Sequence, residues 1–176
     1  MCIRDSAGAE LVRTNDKLAV FFLLDQSNSI VEEFRQAAVD AVKQTCETFM
    51  GQNDEAGVIV FGEQPSIEHK IEARLRLEQV RSYVGGEQTD IAAAVRLAMA
   101  AFPQGHMKRM VLYTDGNETV GAALEEIKLA RAAGIEVNVA PLETGESPEV
   151  RVREVNVPSR VNTEEPFKLQ VIVESD

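Results

Sequence analysis

Five oxygen-bearing side chains stand out by type and spacing. Asp25, Ser27 and Ser29 lie in the run Asp25-Gln26-Ser27-Asn28-Ser29, Thr89 follows far along the chain, and Asp115 further still. Residues at i, i+2 and i+4 of a tight loop can aim at one point. The set offers three hydroxyls and two carboxylates, with Asp90 next to Thr89 as a third acid, and contains no His or Cys. An all-oxygen site suits hard cations: Mg²⁺, or else Mn²⁺ or Ca²⁺. A cation held mainly by neutral hydroxyls and waters keeps much of its charge and an open position for an outside carboxylate. That is chemistry for gripping a ligand, not for breaking a bond.

These residues need elements that bring them to one place. Lys17 to Leu24 (KLAVFFLL) is a continuous apolar run ending at Asp25, as in strands buried on both faces. A helix follows, with Ile30, Phe34, Ala38, Val42 (or Ala41), Thr45 and Phe49 at three- and four-residue steps. Ser29 with Glu32 is expected to form a capping box, and Gly51 to end the helix. Ala56 to Phe61 (AGVIVF) reads as a second buried strand, and Ser66 to Ile71 as an edge strand, since it carries Glu68, His69 and Lys70. Leu75 to Val84 reads as a short helical turn. Gly85-Gly86 is a flexible lead into Thr89.

Asp90 to Phe102 reads as a helix with Ile91, Ala94, Val95, Ala98 and Phe102 on one face, and Asp90 suits its N-terminus. Met110 to Tyr113 is a third buried strand, running into Thr114-Asp115-Gly116. Gly121 to Ala133 is a helix stopped by Gly134, and Ile135 to Ala140 another strand. Alternating strands and helices predict an α/β, doubly wound, mostly parallel sheet with helices on both faces. In such sheets the site lies beyond the carboxyl ends of the strands, near a topological switch point. Asp25 and Asp115 follow strand ends and Thr89 precedes a helix, so all can converge on one rim.

Pro141 to Pro148 (PLETGESP) changes composition, so 143–149 is expected to be a linker. Beyond it the period changes: Val150 and Val152, then Phe167, Leu169, Val171 and Val173, alternate with polar residues. Two strands rarely stand alone. Residues 150–176 are therefore expected to begin a truncated β-sandwich-like domain; folding back onto the first domain is the other possibility. Residues 1–16 form a leader, either an artefactual start or the end of an upstream membrane segment.

Composition narrows the function. The 176 residues carry 18 Lys and Arg against 29 Asp and Glu, a formal net charge of −11, which argues against a nucleic-acid or anionic-membrane surface. Hydrophobic residues at 44% and charged residues at 27% exclude disorder. Cys2 and Cys46 form no metal-ligand spacing, and Cys46 reads as a small buried hydrophobe. No apolar run reaches the length of a membrane span, and no phosphate-binding glycine motif occurs. His69 and His106 read as solvated surface residues, and Asn117 and Glu118 as ordinary loop polar groups.

DxSxS after an apolar strand, a lone Thr in a later loop and an Asp after a later apolar strand together resemble the metal-ion-dependent adhesion site of von Willebrand factor A domains. The resemblance covers about residues 17–142, and the layout is also similar to bacterial membrane-associated proteins of this family. It implies that Ser27, Ser29 and Thr89 coordinate the metal directly and that Asp25 and Asp115 act largely through bound waters. A Glu or Asp of a partner protein would complete the shell. Read this way the chain is a binding module, not an enzyme, of a parent protein anchored in a membrane with this domain outside the bilayer. A metal-independent scaffold is one competing reading. An aspartate-based phosphoryl-transfer enzyme is another, but the second acid it needs two residues after Asp25 is Ser27.

Overall fold

The computed structural model describes residues 17–143, 150–158 and 167–175. The chain divides into two compact units, the first ending at Glu143. The expected leader, and all of the expected linker but Glu143, lie outside the described residues.

In the first unit the elements run β1 (Leu18–Asp25), α1 (Glu32–Thr48), β2 (Glu55–Phe61), β3 (Ser66–Glu72), α2 (Ile91–Ala101), β4 (Met107–Thr114), α3 (Ala123–Ala132) and β5 (Ile135–Pro141). The strands form a five-stranded sheet in the order β3-β2-β1-β4-β5. All neighbours are parallel except β3, which pairs antiparallel with β2 at the edge. Alternate residues of central β1 serve opposite faces. Phe21 and Leu23 pack with α2 and α3, while Val20, Phe22 and Leu24 pack with α1. This is why β1 is apolar without interruption. The fold is the doubly wound α/β sheet expected from the sequence. The chain moves outward from β1 through β2 to β3, then crosses back to β4, so the switch point lies at the carboxyl end of β1.

Several local expectations fail for physical reasons. Leu75 to Val84 is not helical. Leu77 and Val84 turn into the core, and the N–H groups of Arg81 and Ser82 donate to the Glu68 carboxylate at 2.9 Å each. A long-range acceptor replaces the helical ladder. Helix α1 starts at Glu32 with Val31 as its uncapped N-cap, so Ser29 and Glu32 form no capping box. Its inner face runs through Val39, Val42 and Cys46, leaving Phe49 77% exposed. The helix ends at Thr48, with Phe49 and not Gly51 as the cap. Cys46 is half-buried against that core. His106 is only partly solvated: its ring lies 3.5 Å from Glu55 at the foot of the sheet.

The second unit is a two-stranded antiparallel ribbon of β6 (Val150–Asn156) and β7 (Gln170–Ser175). Val152, Val155, Val171 and Val173 stay largely exposed, so the ribbon buries little by itself. Among the described residues no helix is long and apolar enough to cross a membrane.

Candidate metal centre

Asp25 is the last residue of β1 and is 1% exposed. Its two oxygens are used separately. Oδ1 accepts the Ser27 N–H at 2.9 Å, and Oδ2 accepts the Thr114 hydroxyl at 2.7 Å. The first bond curls the chain as it leaves the strand. The Ile30 N–H then donates to the Ser27 carbonyl at 3.2 Å, and the Arg35 guanidinium donates to the same carbonyl at 2.8 Å. The curl brings the Ser27 and Ser29 hydroxyl oxygens to 3.0 Å. Ser29 therefore faces Ser27, which is why it does not cap α1.

Thr89 is 3% exposed on the loop before α2. Its N–H donates to the Thr119 hydroxyl at 2.8 Å, and its carbonyl accepts the N–H groups of Thr119 at 3.0 Å and Val120 at 3.2 Å. Asp90 caps α2 through the Ala93 N–H at 2.7 Å, as its position in the sequence implied. The loops are sewn together by backbone bonds: Asn28 N–H to the Gly86 carbonyl, and Asp90 N–H to the Gly62 carbonyl, each at 2.9 Å. Asp115 follows β4. Its Oδ1 accepts the Asn117 N–H at 2.9 Å, while its Oδ2 is buried with no hydrogen-bond partner among the described residues. All five residues thus belong to loops or strand ends at one rim of the sheet.

Burial pushes the Asp25 carboxyl above the ordinary carboxylate range, and the nearby charge of Asp115 pushes it further, against the hydrogen bonds from Ser27 and Thr114. A buried acid, an orphaned carboxylate oxygen beside it and paired hydroxyls make a set that fits a hard divalent cation. Among the described residues no three His, Cys, Asp or Glu side chains form a metal cluster.

A pH dependence follows. A carboxyl raised in the folded state binds its proton more tightly there, so its contribution is fully present at low pH and lost as pH rises through the folded value. In EDTA the protein should therefore lose stability relative to Asp25→Asn as pH rises from acid toward neutral. Urea midpoints of both proteins across that range check this, and a constant difference would contradict it.

Sequence reasoning passed over three residues here. Thr114 meets Asp25 because β1 and β4 are in register, Leu24 lying opposite Tyr113. Thr119 holds Thr89. Glu118 is not an ordinary loop residue: Oε1 accepts the Ala92 N–H at 3.0 Å and Oε2 the Ala123 N–H at 2.7 Å. Only a polar residue at the buried end of a strand hinted at Thr114; nothing in the sequence pointed to Glu118.

Residues 20–118 match the family model of the von Willebrand factor type A domain. Among solved structures, the chain is similar to an aerotolerance-related membrane protein from Bacteroides fragilis, at 24% identity and TM-score 0.63, covering 90% of this chain and 81% of that one. It is similar to BatB from Bacteroides thetaiotaomicron at 23% identity and TM-score 0.61, covering 90% and 80%. It also resembles proximal thread matrix protein 1 of the mussel byssus, solved with zinc in its metal-ion-dependent adhesion site, at 18% identity and TM-score 0.54, covering 70% and 37%. No curated protein matches the sequence.

Proposed function

The chain belongs to the von Willebrand factor type A domain family, whose members serve protein–protein interaction, and from that premise we propose that it is a divalent-metal-dependent binding module for an acidic side chain of a partner protein. Ser27, Ser29 and Thr89 hold the cation through their hydroxyls. Asp25 and Asp115 supply negative charge and accept hydrogen bonds from its waters. The observation that carries this reading is buried Asp25 within the field of Asp115, whose buried Oδ2 has no hydrogen-bond partner among the described residues. The cation, when bound, offers an electrophilic point to a Glu or Asp carboxylate. Mg²⁺ is the resident ion of this reading, with Mn²⁺ and Ca²⁺ as substitutes.

The site has no catalytic role in this reading: the Asp25 carboxylate already accepts from the Ser27 N–H and the Thr114 hydroxyl, and the Ser27 and Ser29 hydroxyls lie against each other at 3.0 Å. Residues 17–142 form the binding domain, 143–149 a linker and 150–176 the first strands of a β-sandwich-like domain. The parent protein is membrane-anchored with this domain outside the bilayer, a reading supported by the likeness of fold to a Bacteroides fragilis membrane protein.

The test uses Mn²⁺ as probe. Calorimetric titration should show one Mn²⁺ site in the wild type, and Thr89→Ala should weaken it by about tenfold or more, as loss of a ligand-shell contact does. A peptide array presenting Glu or Asp against Gln or Asn should then retain the Mn²⁺-loaded protein on the acidic members alone, and EDTA should release it. Equal retention in EDTA would favour a metal-independent scaffold and sink the proposal.

A further inference from the structure

We propose that Glu118 and Thr119 are positioning residues that hold Thr89 in place relative to Asp115, an inference that rests on the metal-binding reading above. The β4–α3 loop is fixed at one end by Asp115 and grips the neighbouring loop three residues later. Thr119 takes the Thr89 N–H on its hydroxyl and returns its own N–H to the Thr89 carbonyl, which the Val120 N–H shares. Thr89 thus has both backbone groups committed to this loop, and its side chain can face only where that grip allows.

Glu118 sets the grip. Its carboxylate bridges two helix N-termini, accepting from Ala92 in the first turn of α2 and from Ala123 at the start of α3. The first N–H groups of a helix lack internal partners, and the helix dipole favours negative charge there. Asp90 satisfies one such donor of α2 and Glu118 another. The N-cap of α3, Ala122, has no polar side chain to offer, so Glu118 serves in its place from outside the helix. The approach is close enough to require glycine: Gly121 has φ of +107°, and a Cβ there would lie 2.9 Å from Ala92 Cβ, Asp90 Oδ1 and Glu118 Oε1. Glu118 therefore ties α2, which begins just after Thr89, to the loop that carries Asp115. Arg96 and Glu126, 2.9 Å apart, repeat the α2–α3 tie one turn further along.

The experiment pairs two readouts on Glu118→Ala, Glu118→Gln, Thr119→Val and Thr119→Ser. The first is amide hydrogen exchange over residues 87–93 and 122–126 without metal. The second is the Mn²⁺ dissociation constant by calorimetry. Glu118→Ala and Thr119→Val should speed exchange at Thr89 or Ala92 and weaken Mn²⁺ by about tenfold or more, while Thr119→Ser, which keeps the hydroxyl, should stay close to wild type. Glu118→Gln keeps one acceptor and should fall between, so the scale survives if Glu118→Ala folds poorly. Unchanged metal-free exchange overturns the clamp. Faster exchange with an unchanged Mn²⁺ constant overturns its bearing on the site. A wild type that takes up no Mn²⁺ defeats the binding reading and the positioning role with it, an outcome distinct from either of the others.

Discussion

Asp25→Ala is expected to abolish the stabilisation that a divalent cation gives this domain. At a cation concentration about 100 times the dissociation constant, binding to the folded state alone should add ~2.7 kcal/mol. In a domain of this size that is a rise in melting temperature of roughly 5–10 °C. Asp25 is the residue whose loss should erase it. Its charge is buried, it holds the Ser27 N–H that curls the loop, and it anchors the Thr114 hydroxyl across the β1–β4 pair. Alanine would leave two buried donors unpaired, so the metal-free variant should also melt lower, by about 1–3 kcal/mol per orphaned group. Asp25→Asn separates the two effects, because it keeps an oxygen for Ser27 while removing the charge. Thermal scans in EDTA and then in millimolar Mg²⁺, Mn²⁺ or Ca²⁺ decide the matter. If Asp25→Ala keeps the full metal-dependent rise, the site is not here.

The layout of the sheet was legible because burial on two faces leaves a compositional mark. The run from Lys17 to Leu24 has no polar interruption, and Ser66 to Glu72 has several, which separates the central strand from the edge. That Asp25 and Asp115 share a rim follows from the fold, since both stand at the ends of neighbouring parallel strands. Apart from Thr114, what escaped the sequence were groups whose partners are backbone. Glu118 bonds the amides of Ala92 and Ala123, and an amide is present at every residue but proline, so no pattern announces it. The same holds for Glu68, whose bonds to Arg81 and Ser82 stabilise an irregular segment that its apolar spacing made look helical. Ser29 illustrates a third case. A hydroxyl before a helix is an ordinary cap, but here the turn closed at Ser27 directs it to another hydroxyl.

The backbone seams between these loops also explain why a substitution outside the five residues should damage the site as much as one within it. Gly62→Ala is expected to destabilise the domain and to abolish Mn²⁺ binding together. Gly62 follows β2 at the same rim, and a Cβ there would collide with the carbonyl oxygen of Gly85. That oxygen is backbone, held by the Glu63 N–H at 3.2 Å, so the side-chain adjustments that usually absorb an added methyl are unavailable. Overpacking of this kind costs about 1–3 kcal/mol, occasionally more. The segment that must give way carries Gly86, whose carbonyl holds Asn28, and leads to Thr89. Moving it pulls at the DxSxS loop and at Thr89 in one step. Gly105→Ala is the control. Gly105 lies before β4, at the opposite end of the sheet, with open space around its Cβ position and φ of +78°. Strain there should cost roughly 1–2 kcal/mol while leaving the Mn²⁺ constant unchanged. Melting temperature and Mn²⁺ affinity, measured on both variants, separate general destabilisation from damage to the site. If Gly62→Ala melts lower but binds Mn²⁺ as the wild type does, the loops around Asp25 and Thr89 are positioned independently of the 84–86 segment. If both properties fall together while Gly105→Ala loses only stability, the seams that stabilise the rim are also what place the metal-binding hydroxyls.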